Sequence, residues 1–257
     1  MLGSASYITL RNSTLRKAVL LDFGDTLVLM KESYVGKVEE LRVKSLLEYL
    51  KRKGLAVGER EFRERFINVS ERMNGFCERY SIELTIDVVV ADTLREMGFA
   101  VELKDVWDVE QAAYGFLLEA CALPGDALSA LEKLMTAGFK MAVVSNTRSD
   151  WFVREALRKL NILDYFDYVS TSANLGVRKP RPEPFLKALK KLGVTCRETV
   201  MIGDQTTTDV KGALNLGMRV IQIVGVGQTV NSRLTGIKPT FYAQNLYEAA
   251  DRATTLV

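Results

Sequence analysis

The sequence predicts an α/β protein: a Rossmann-like, doubly wound parallel sheet core with an all-helical domain inserted after the first core strand. Three observations carry this expectation. Over residues 18–27 and about 124–257, short apolar runs alternate with amphipathic stretches, the pattern of right-handed βαβ units building a parallel sheet. Between residues 33 and about 121 the pattern changes to long segments with apolar residues at helical spacing and no strand run between them. Finally, the apolar runs lead into carboxylate, hydroxyl or lysine side chains, and an open α/β sheet places its site at such strand ends. The expected division is residues 1–32 and 122–257 for the core, and 33–121 for the helical insert.

Each element follows from its local pattern. The first 17 residues hold Arg11, Arg16 and Lys17 but no apolar stretch long enough for a signal peptide; they read as an extension with a strand around Tyr7–Leu10. The run Ala18-Val19-Leu20-Leu21 stops at Asp22, which opens a polar, glycine-containing turn through Phe23, Gly24, Asp25 and Thr26. Segments 35–53, 59–80, 84–98 and 105–121 read as helices, punctuated by Gly54, Gly58 and Gly98. Leu123-Pro124-Gly125 marks the return to the core, where 126–137 reads as a helix stopped at Gly138. Strands are expected within 140–146, 168–171, 199–204 and 219–225, and Trp151 and Phe152 are expected to pack in the core.

Composition removes several function classes. The chain has 257 residues, 47% of them hydrophobic, so it is large enough to bury a substantial core. Its 35 basic and 32 acidic residues nearly balance, for a net charge of +3, which makes no case for nucleic acid or an anionic membrane as partner. The densest basic cluster, Lys51-Arg52-Lys53, reads as a solvated helix end. No run of about 18 apolar residues is present, so no membrane span is expected. Cys77, Cys121 and Cys196 are odd in number and lack CxxC spacing, so neither a disulfide framework nor a zinc site is indicated and a reduced, cytoplasmic setting is expected. There is no histidine. Serine–histidine and cysteine–histidine hydrolysis, and histidine acid–base or metal chemistry, are thereby excluded.

What remains is a constellation of four stations: Asp22; Ser145-Asn146; Lys179; and Asp204 with Asp209. An ionised aspartate is a competent nucleophile toward phosphorus or carbon. A phosphate dianion repels it unless positive charge lies between them. Asp204 and Asp22 can hold Mg²⁺ jointly, because Mg²⁺ takes oxygen ligands. Lys179 can supply a second positive charge. Ser145 and adjacent backbone amides can bind phosphoryl oxygens where a helix begins. Each residue also has a structural reading: Asp22 as a turn residue, Ser145-Asn146 as a helix cap, Lys179 as a surface lysine in a proline-rich loop, Asp209 as a cap of the helix at 210–216.

Taken in order, these motifs resemble the haloacid dehalogenase (HAD) superfamily across 18–225: an Asp-led first motif, Ser145 as the second, Lys179-Pro180 as the third, and Gly203-Asp204-x4-Asp209 as the fourth, with Pro124-Gly125 before the second and Gly212-Ala213 after the fourth. The resemblance implies that Asp22 is the nucleophile of an aspartyl-phosphate mechanism. It also implies that Asp22, the Gly24 carbonyl and Asp204 hold Mg²⁺, and that Asp209 supports the metal from behind. It further implies that Ser145, Asn146 and Lys179 bind the substrate's transferring group, Asn146 through a backbone contact or by orienting the loop, and that Ser145 and Lys179 assist the chemistry. The helical insert matches the family's smaller cap, which covers the site and selects a small phosphorylated substrate. Monomer and homodimer are both compatible.

One position departs from the family's phosphatases. They place a second Asp, the proton donor to the leaving alcohol, two residues after the nucleophile; here that position is Gly24, and Asp25 follows it. Asp25 is therefore a doubtful acid. Three expectations follow: a Mg²⁺-dependent phosphatase acting on a good leaving group or using Asp25 or water as acid; a dehalogenase- or phosphonatase-type hydrolase, the latter needing an insert lysine such as Lys44, Lys51 or Lys53; or a phosphate-binding protein with little turnover.

Overall fold

A computed structural model describes residues 17–100, 106–224 and 236–257. The strand expected at 7–10 lies outside the described residues. The first strand, β1 (Ala18–Leu21), is followed by a two-residue strand, β2 (Leu29–Met30). Four helices come next: α1 (Val38–Arg52), α2 (Glu59–Tyr80), α3 (Ile86–Glu96) and α4 (Val106–Tyr114). After β3 (Cys121–Ala122) the chain alternates: α5 (Ala127–Thr136), β4 (Lys140–Ser145), α6 (Asp150–Lys159), β5 (Tyr168–Thr171), α7 (Ser172–Leu175), α8 (Pro182–Leu192), β6 (Thr199–Gly203), α9 (Lys211–Asn215), β7 (Arg219–Ile223), β8 (Phe241–Ala243) and α10 (Leu246–Leu256).

The sheet is the doubly wound parallel sheet that the alternation predicts, in the order β5-β4-β1-β6-β7-β8. After β5 the chain returns to the other side of β1, so the strand order reverses beside β1. Such a switch point leaves a crevice at the carboxyl ends of the strands. All four β1 residues are fully buried because both faces are covered, which is why the strand reads as an unbroken apolar run. Val19 and Leu21 pack toward α5, α6 and α10 through Leu131, Val153 and Ala250. Ala18 and Leu20 point the other way, toward Phe185 and Leu189 of α8. That is the two-residue period of a strand.

Helices α1–α4 bury a separate apolar cluster, including Leu46, Leu50, Phe62, Phe66, Val90, Leu94 and Val109. The predicted helix over 105–121 ends earlier, at Tyr114; a 3₁₀ turn at Gly115–Leu118 and β3 follow. β3 pairs antiparallel with β2, with Leu29 opposite Ala122 and Met30 opposite Cys121. Two-residue strands are too short to show a period, so this ribbon is not legible in the sequence. Phe152 is partly buried rather than simply core: its ring meets Phe23 edge-on at 5.9 Å and stacks on Tyr114 at 5.5 Å, joining the sheet's cluster to the helical one. Trp151 packs against the helical cluster. Among the described residues no helix is long and apolar enough to cross a membrane.

Candidate active site

The register of β1 gathers the predicted residues. Leu21 lies opposite Val143 of β4 and Ile202 of β6, so Asp22, Ser145 and Asp204 emerge side by side at the carboxyl edge. The Asp22 N–H donates to the Ile202 carbonyl at 2.9 Å, keeping it in line with the sheet. Lys179 arrives on the loop between α7 and α8. All of these, with Gly24, Asp25 and Asn146, line one cleft of about 860 Å³.

Lys179 is 3% exposed and is not a surface lysine. Its Nζ lies 2.7 Å from Asp22 Oδ1, 2.6 Å from Asp209 Oδ1 and donates to the Val144 carbonyl at 2.6 Å. Burial acts to lower its pKa, but Asp209 and Asp22 outweigh this and raise it, so the ammonium stays charged. Asp22, Asp204 and Asp209 are 8, 8 and 0% exposed. They can bring oxygens within 4.8 Å of one another. Asp204 and Asp209 are both pushed up to about 7, first by burial and next by the Asp22 charge. One ammonium does not neutralise three buried carboxylates, and the remaining deficit is what a divalent cation on oxygen ligands would fill.

The donors sort themselves. Asp209 Oδ1 is taken by Lys179, and its Oδ2 accepts the Gln205 N–H at 3.1 Å. This is a link back to the loop before the π-turn at Thr206–Val210, not a cap on α9, where no side-chain cap exists. Gly203 is required here: a Cβ on it would lie 2.5 Å from Asp209 Oδ2. Asp204 is held by the Thr26 hydroxyl at 3.3 Å and the Gln205 amide at 3.0 Å. Beneath it, the buried Gln222 donates to the Asp204 carbonyl and the Thr206 hydroxyl. Gln222 escaped sequence reasoning, although a glutamine inside the apolar run of β7 was the available signal.

Asn146 orients a loop: its Oδ1 accepts the Lys179 N–H at 2.8 Å and its Nδ2 donates to the Lys179 carbonyl at 3.0 Å, bracing that backbone. One expectation needs correction: no helix begins at Ser145-Asn146. The cap of α6 is Ser149, whose hydroxyl accepts the Phe152 N–H, because a further loop is needed before the chain can turn back along the sheet. Ser145 remains in the cleft. Asp25 takes φ of 54°, a left-handed conformation that aspartate tolerates. Its carboxyl is raised by burial and by the Asp22 charge. Lys44, Lys51 and Lys53 do not line the cleft, and Lys53 pairs with Asp108 at 2.8 Å.

The sequence profile of the haloacid dehalogenase-like hydrolase family matches residues 16–217. The chain belongs to this family. Among curated relatives, the glyceraldehyde 3-phosphate phosphatase of Pyrococcus abyssi is 29% identical over 209 residues, 80% of each chain. Shorter matches include the glyceraldehyde 3-phosphate phosphatase of Methanothermobacter thermautotrophicus, 37% identical over 42% of this chain and 44% of that one. The phosphoglycolate phosphatase of Aquifex aeolicus is 36% identical over 35% and 41%. Among solved structures, a 2-haloacid dehalogenase from Pseudomonas syringae pv. Tomato superposes with TM-score 0.68 and 22% identity, covering 94% of this chain and all of that one. A HAD phosphatase from Thermococcus onnurineus gives 0.61 and 24%, covering 92% and 97%. These similarities support the fold; the curated relatives are named for removing phosphate from small molecules. This HAD chain is a hydrolase.

Proposed function

We propose that this HAD hydrolase is a Mg²⁺-dependent phosphatase of a small phosphorylated metabolite, working through an aspartyl-phosphate on Asp22. The observation that carries this reading is the buried cluster in which Lys179 lies between Asp22 and Asp209 while Asp204 stands beside them. Asp22, the Gly24 carbonyl and Asp204 would hold Mg²⁺, which when bound offsets the negative charge of nucleophile and phosphoryl group. Asp209 would act from behind by fixing Lys179.

The remaining steps belong to the chain's own residues. Lys179, whose three donors face Asp22, Asp209 and the Val144 carbonyl, orients Asp22 and meets the phosphoryl group by its charge, while Ser145 receives phosphoryl oxygens. An Asp22 carboxylate oxygen forms a bond to phosphorus as the bond to the leaving oxygen breaks. The leaving oxygen takes the proton of Asp25, whose carboxyl is raised in the direction that a donor needs. Water then attacks phosphorus, gives a proton to the Asp25 carboxylate, and frees phosphate and Asp22. Cys77, Glu78, Arg79 and Ser81, at and just beyond the end of α2, line the cleft, so we assign the insert as the cap that meets the organic part of the substrate.

Hydrolysis of p-nitrophenyl phosphate with Mg²⁺, abolished by EDTA and by Asp22→Asn, is the expected result. Halide release from 2-haloacids that persists in EDTA would instead make the protein a dehalogenase. Binding of phosphate without turnover of any ester, acyl phosphate or phosphonate would make it a binding protein.

A further inference from the structure

One buried carboxylate takes no part in the chemistry at Asp22. Glu83 lies between α2 and α3, and its side chain is 0% exposed. Glu83 Oε2 accepts the Ser172 hydroxyl at 2.6 Å, and Ser172 Oγ in turn accepts the Thr147 N–H at 2.7 Å. Oε1 lies 3.5 Å from Nη1 of Arg178, the residue before Lys179. One carboxylate thus connects to two loops that carry site residues: through Ser172 to the one of Ser145, Asn146 and Thr147, and directly to the one of Arg178 and Lys179.

The backbone reinforces the same connection. Ile82 and Val177 form an isolated antiparallel bridge. The Glu83 N–H donates to the Gly176 carbonyl at 2.9 Å, and the Arg178 N–H to the Ser81 carbonyl at 3.0 Å. The Ile86 N–H donates to the Arg148 carbonyl at 3.2 Å. The insert therefore rests on the site loops through residues 81–86, far along the chain from its crossings at β2 and β3.

The charge on Glu83 decides how Ser172 behaves. The Ser172 hydroxyl has one proton and two acceptors within reach, Glu83 Oε2 and the Thr147 carbonyl at 3.0 Å. An ionised carboxylate is the stronger acceptor. It draws the proton toward itself and leaves the oxygen lone pair facing the Thr147 N–H. Burial raises the Glu83 carboxyl above its ordinary value, outweighing Arg178, Ser172 and Arg148, which act to lower it.

Building on the phosphatase reading, we propose that Glu83 is a positioning residue that couples seating of the helical insert to assembly of the phosphate-binding loops. It acts through Ser172 on the loop of Ser145–Thr147 and through Arg178 on the loop of Lys179. With Glu83 withdrawn, Arg178 loses its buried partner and Thr147 loses the orientation of its acceptor.

The test compares wild type, Glu83→Gln and Ser172→Ala by two readouts. Hydrogen exchange at the Thr147 amide needs no turnover. It is expected to accelerate roughly tenfold or more in Ser172→Ala, and measurably in Glu83→Gln, as expected for removing or weakening a hydrogen bond in a charged network. Steady-state hydrolysis of p-nitrophenyl phosphate is expected to show kcat lowered roughly tenfold in Glu83→Gln with KM changed less than about twofold, and Glu83→Asp is expected to recover part of the loss. Folded variants with unchanged Thr147 exchange overturn the proposal. So does faster exchange with unchanged kcat in an active enzyme, which leaves Glu83 as packing only. If wild type turns over no phosphate ester, the phosphatase reading falls, and Thr147 exchange alone still decides whether Glu83 braces the loop.

Discussion

The inversion at Gly24-Asp25 yields the sharpest prediction, because the structure supplies both arms of the experiment. Asp25 lines the cleft with Asp22, and its carboxyl is raised by burial and by the Asp22 charge. If it protonates the leaving oxygen, Asp25→Asn removes a general acid worth roughly 10²- to 10⁴-fold. The loss is concentrated in alkyl phosphates, whose alkoxide is a poor leaving group, and is small for an aryl phosphate, whose phenolate departs unaided. Gly24 is the position where the family's phosphatases keep their acid. A Cβ built there meets no atom within 4 Å, and its φ is not positive, so the position accepts the Cβ of Gly24→Asp without a clash and without a left-handed backbone. Added to the Asp25→Asn variant, Gly24→Asp should restore alkyl phosphate hydrolysis toward the wild-type rate. The assay is kcat/KM for a glycerol phosphate and for p-nitrophenyl phosphate in wild type, in Asp25→Asn and in the double variant Gly24→Asp/Asp25→Asn. Equal alkyl rates in wild type and Asp25→Asn would refute Asp25 as the acid.

Three further outcomes are expected. Lys179→Met leaves Asp22 and Asp209 buried without their shared cation, costing about 3–5 kcal/mol; the urea midpoint should fall and activity should be lost, and an unchanged midpoint contradicts the ion-pair geometry. Gly203→Ala drives a methyl into the Asp209 carboxylate at 2.5 Å, with a cost of about 1–3 kcal/mol for overpacking, read as a lower melting temperature together with lower kcat. In the metal-free protein, Asp204 and Asp209 hold their protons up to about 7 when folded, against 3.8 for the ordinary carboxyl. The folded state therefore binds more protons between these values, and stability falls as pH rises through that window. Mg²⁺ requires the ionised forms, so its stabilising shift in melting temperature should be small near about pH 5 and full near about pH 8. A shift independent of pH removes Asp204 as a ligand.

Much of the fold and site is legible in the chain. Asp22, Ser145, Lys179 and Asp204 are visible because each lies at or beyond the end of an apolar run, and a parallel sheet buries such strands on both faces. The helix at Glu59–Tyr80 can be read to the residue because its period is long and undisturbed. The ribbon of Leu29–Met30 with Cys121–Ala122 cannot, since pairing between residues so distant in the chain leaves no local trace. An orienting role for Asn146 is legible from its place beside Ser145; only the folded loops reveal that the backbone it holds is that of Lys179.

The sequence by itself determined the inventory: no histidine, a small set of aspartates at strand ends, one lysine in a loop beyond a strand, and a glycine where a proton donor normally stands. Covalent order and hydrophobic period are local properties, and they suffice for that much. The tertiary structure alone decided how the charges partner. Lys179 meets Asp22 across 157 positions, Glu83 meets Ser172 across 89, and Asp209 becomes fully buried. Electrostatic strength depends on distance and on exclusion of water, and neither is defined until the strands and the insert have come together.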